Sequence, residues 1–142
     1  MKQNNRPLGW TTVEEAQQLV EAGLSIETAD MHYLNYSDND FSALTFPYVD
    51  TSPSIRSWVI PCWSLGALIK LMPKTISVPV DERSAYFYNL EWQFANDNSL
   101  RYIATNRGKC LIDICSDHDI GSKSFIETVI EMIIWLLENK LI

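Results

Sequence analysis

Three cysteines and two histidines carry the reactive side chains of this 142-residue chain: Cys62, Cys110, Cys115, His32 and His118. A cysteine beside a histidine could supply a thiolate nucleophile, and a set of such side chains could bind zinc. The spacing supports neither by itself. There is no C-x-x-C and no H-E-x-x-H. Asp117, His118 and Asp119 read as a solvated turn rather than a metal site. Asp38, Asp40 and Ser42 faintly resemble a calcium loop. Ala43 replaces the required glycine, however, and Val49 the bidentate glutamate. No G-x-S-x-G, G-x-G-x-x-G or Walker loop is present. Glu14 and Glu15 form a carboxylate pair, but a helix start explains them without catalysis. The sequence therefore assigns no catalytic residue, no metal ligand and no cofactor. A small hydrolase using Cys62, Cys115 or His118 remains the alternative. It would require a histidine within about 3 Å of a cysteine or carboxylate.

Charge and aromatic placement favour binding over catalysis. The net charge is −7, which disfavours a nucleic-acid partner. The first 60 residues hold Lys2, Arg6 and Arg56 against Glu14, Glu15, Glu21, Glu27, Asp30, Asp38, Asp40 and Asp50. Within a polar stretch from residue 31 to 57 lie Tyr33, Tyr36, Phe41, Phe46 and Tyr48, with Trp58 following. Tyrosine and tryptophan give binding area with a polar handle. Tyr33, Tyr36, Tyr48 and Trp58 are thus the expected partner-binding residues. The expected role is a non-catalytic interaction protein with an unidentified protein partner. An acidic DNA mimic is a further alternative. "TVEEAQQLVEAGLSIETAD" has the rhythm of a helix-turn-helix, but its second segment carries Glu27 and Asp30, which would repel phosphate. No apolar segment reaches the roughly 20 residues a membrane span needs. With no secretory leader in view, a cytoplasmic location is expected, as monomer or homodimer. The cysteines are expected to be reduced core thiols.

The elements that must position these residues are partly written in the sequence. Thr12 and Glu15 form a capping box ahead of a helix whose apolar face is Val13, Ala16, Leu19 and Val20. Gly23 suits the left-handed position after its last turn, with Leu24 folding back onto Leu19. "PCWSLGALIKLMP" reads as a short core helix over Leu65 to Leu71, capped by Ser64 and stopped by Pro73. Residues 84–94 alternate, with Tyr86, Tyr88, Leu90, Trp92 and Phe94 on one face. "NDNS" and "NRG" turn the chain into strands over about 100–105 and 109–115. In the last strand Cys110, Ile112 and Ile114 are expected to share a face. Ser124 and Glu127 open a closing helix that is apolar around most of its circumference, with Trp135 expected to be largely buried. These elements predict one α+β domain over residues 1–142, with residues 1–9 flexible. An antiparallel meander of three or more strands would pack against the long C-terminal helix, beside short N-terminal and central helices.

Three stretches add a resemblance: "WTTVEEAQQLVEAGLSIETADM", "PCWSLGALIKLMP" and "FIETVIEMIIWLLENKLI". Together they resemble a family of small uncharacterised proteins from phages and mobile elements of gut Bacteroidales. The resemblance implies a compact α+β fold and a mobile-element origin. It implies no activity, and no catalytic residue can be carried over.

Overall fold

The computed structural model describes residues 9–34, 48–49, 59–93, 99–104, 109–115 and 124–142. The chain divides into two compact units, Met1–Lys70 and Leu71–Ile142.

The first unit opens with helix α1, Val13–Glu21. Its capping box is complete: the Thr12 hydroxyl accepts from the Glu15 amide at 3.3 Å, and Glu15 accepts from the Thr12 amide at 2.8 Å. Val13, Ala16 and Leu19 are buried, whereas Val20 lies at the solvent margin, 40% exposed. Gly23, at φ 107°, closes the helix in a Schellman turn. Its amide donates to Val20 O at 3.0 Å, and the Leu24 amide to Leu19 O at 3.0 Å. A single 3-10 turn, Ile26–Thr28, leads into strand β1, Met31–Leu34. β1 is the centre of a three-stranded antiparallel sheet, between β2 (Tyr48–Val49) and β3 (Val59–Cys62). α1 packs against β3. Helix α2 then runs over Leu65–Leu71, the bounds its sequence predicts. Ser64 Oγ accepts from the Ala67 amide at 3.1 Å, and Leu68 is wholly buried.

The second unit is an antiparallel meander of four strands in order: β4 (Thr75–Pro79), β5 (Ala85–Gln93), β6 (Ser99–Ala104) and β7 (Lys109–Cys115). β5 alternates as its sequence requires: Tyr88 is buried while Phe87 is 63% exposed. Leu100, Tyr102 and Ala104 of β6 are buried on the same side. Helix α3, Phe125–Glu138, packs on β6 and β7. Its start meets β5 through an edge-to-face contact of Trp92 and Phe125, with centroids 5.3 Å apart. The fold is thus α+β with an antiparallel meander and a C-terminal helix against it, as expected.

Helix α3 buries Ile126, Val129, Ile130, Met132, Ile133 and Leu136, and Trp135, at the edge of that face, is largely covered. One detail departs from expectation. The register of β6 and β7 shifts between Tyr102 and Ile103: Tyr102 pairs with Ile112, but Ile103 pairs with Cys110. Leu111 is the extra residue of a bulge, and a bulge reverses side-chain parity. Cys110 therefore leaves the face of Ile112 and Ile114. It is an exposed thiol, not a core one.

Candidate functional site

Thr11 lies between two segments distant in sequence and joins them. Its amide donates to Trp63 O at 3.0 Å, and its hydroxyl accepts from the Trp63 amide at 3.1 Å. The Leu65 amide donates to Gly9 O at 2.9 Å, so residues 9–11 lie antiparallel to the end of β3 and the start of α2. The Thr11 carbonyl accepts from Tyr33 Oη at 2.6 Å and from Cys62 Sγ at 3.4 Å. Thr11 Oγ1 in turn lies 3.6 Å from Cys62 Sγ. Thr11, Cys62 and Trp63 are fully buried, and Tyr33 is 2% exposed. Around this centre the Trp63 indole donates to Thr28 Oγ1 at 2.9 Å. The Asp30 carboxylate takes both the Ser64 amide and the Ser64 hydroxyl.

Electrostatics here oppose nucleophilic chemistry. Burial pushes the Cys62 thiol up to about 11, and the hydrogen bonds from Thr11 and Tyr33 offset only part of that. The thiol is protonated at neutral pH, the unreactive form. Burial, with Cys62 as its neighbour, likewise raises the Tyr33 phenol above its ordinary value.

Strand parity separates the thiol from the nearer histidine. In β1 and β3, Met31 pairs with Cys62 and Tyr33 with Ile60, placing these four on one face. His32 pairs with Pro61, on the other face, and is itself buried. The Cys62–His32 pairing that a small hydrolase could use is not formed. Cys115 ends β7 at the backbone position opposite Ser99; its side chain and His118 lie outside the described residues. Among the described residues no group of three or more His, Cys, Asp or Glu side chains is placed to hold a metal ion.

The expected aromatic binding surface needs one correction. Tyr33 is a core residue, because its hydroxyl is used internally on the Thr11 carbonyl and its ring is enclosed. Tyr48 lies in β2 opposite His32. Tyr36 and Trp58 lie outside the described residues. Among the described residues the exposed aromatic ring is Phe87, on the outer face of the meander, which the sequence reading did not single out. Alternation along β5 was the signal, since Phe87 occupies the parity of Asn89 and Glu91. That outer face also carries the row Glu91, Arg101 and Asp113, in which Arg101 Nη2 meets Glu91 Oε1 at 2.7 Å. No helix among the described residues is long and apolar enough to cross a membrane.

Comparison with family models, curated proteins and solved structures found no match.

Proposed function

We propose that this protein is a non-catalytic binding protein whose first unit engages a basic protein partner through its acidic surface. One observation carries the reading. Glu14, Glu21, Glu27 and Asp30 are all exposed in that unit, and Lys70 is the only lysine or arginine among its described residues. Over the whole unit eight carboxylates stand against four such cations, Lys2, Arg6, Arg56 and Lys70. Such a predominantly negative charge steers an oppositely charged partner and disfavours nucleic acid. The protonated, enclosed Cys62 thiol weakens the enzymatic alternative. Service as an accessory protein of a phage or mobile element belongs to the same proposal and rests on the sequence resemblance alone.

The test is affinity capture from the native host, comparing wild type with the triple variant Glu14→Lys, Glu21→Lys, Glu27→Lys. These side chains take no part in the Thr11 centre, so the fold should persist. The expected result is a protein with a basic surface that wild type retains and the variant loses. Equal capture by both proteins, with equal thermal stability, would refute the acidic-surface reading.

A further inference from the structure

We draw no further inference here: the strongest candidate, the outer face of the meander where the exposed Phe87 ring and the exposed Cys110 thiol flank Ile103, is an unpartnered sheet face with a lone cysteine, and nothing in the structure shows what covers it.

Discussion

Thr11 ties the entering chain to the end of β3 with its backbone and its hydroxyl alike. Thr11→Val keeps the shape and removes the acceptor of the buried Trp63 amide. It should destabilise the protein by about 1–3 kcal/mol, the cost of one unpaired buried polar group. Thr11→Ser should recover most of that loss; equal denaturant midpoints for Val and wild type would contradict the role. Cys62 supplies a pH signature. Its folded value is raised from an ordinary 9.0 to about 11, so the folded chain holds the thiol proton more tightly than the unfolded chain. That contribution is fully present below about pH 9 and is lost as pH rises through about 11. Tyr33 and Tyr102, both raised by burial, act in the same direction at still higher pH. Thermal midpoints should therefore fall from pH 9 upward, and Cys62→Ala should flatten the first part of that decline. A thiol reagent at neutral pH should label Cys110 well before Cys62, as exposure dictates. None of this centre was legible in the sequence. Thr11 and Cys62 are separated by 51 positions, and no local pattern announces a contact of that range.

At the scale of elements, the two longer helices end in the same turn built from different residues. After α3, the Lys140 amide donates to Leu137 O at 3.1 Å and the Leu141 amide to Leu136 O at 2.9 Å. Lys140 holds the left-handed position at φ 55°, where α1 places Gly23. A side chain there costs about 1–2 kcal/mol. Lys140→Gly should therefore stabilise the protein, and Gly23→Ala should destabilise it by a similar amount. An alanine Cβ at Gly23 would meet nothing within 4 Å, so that cost is purely conformational. Thermal midpoints moving in opposite directions for the two variants would verify the pair. Caps and alternation are local grammar, which is why α1, α2, β5, β7 and α3 could be read in advance. β4 escaped because five residues framed by prolines give too short an alternation to register. The bulge at Leu111 escaped because parity within one strand looks regular until its partner is known.

At the scale of the molecule, the second unit depends on one helix. The meander buries Tyr88, Leu100 and Tyr102 on the side where α3 packs across β6 and β7. A sheet with one face bare needs that cover, because its aromatic and aliphatic side chains would otherwise stand in water. α3 in turn buries seven of its residues, including Val129, Met132, Ile133 and Leu136 at 0% exposure. A helix of this length is marginal alone, so its order comes from packing on the strands. The Trp92–Phe125 contact joins the same two layers. Deleting residues 125–142 should consequently unfold the meander rather than leave a competent sheet. The expected readout is loss of cooperative unfolding and of slow amide exchange in β5 and β6. The gentler substitution Ile133→Ala, at a fully buried position, should lower stability by about 2–5 kcal/mol while leaving the fold intact. A truncated chain that still unfolds cooperatively, with protected β6 amides, would show that the four strands hold together without the helix.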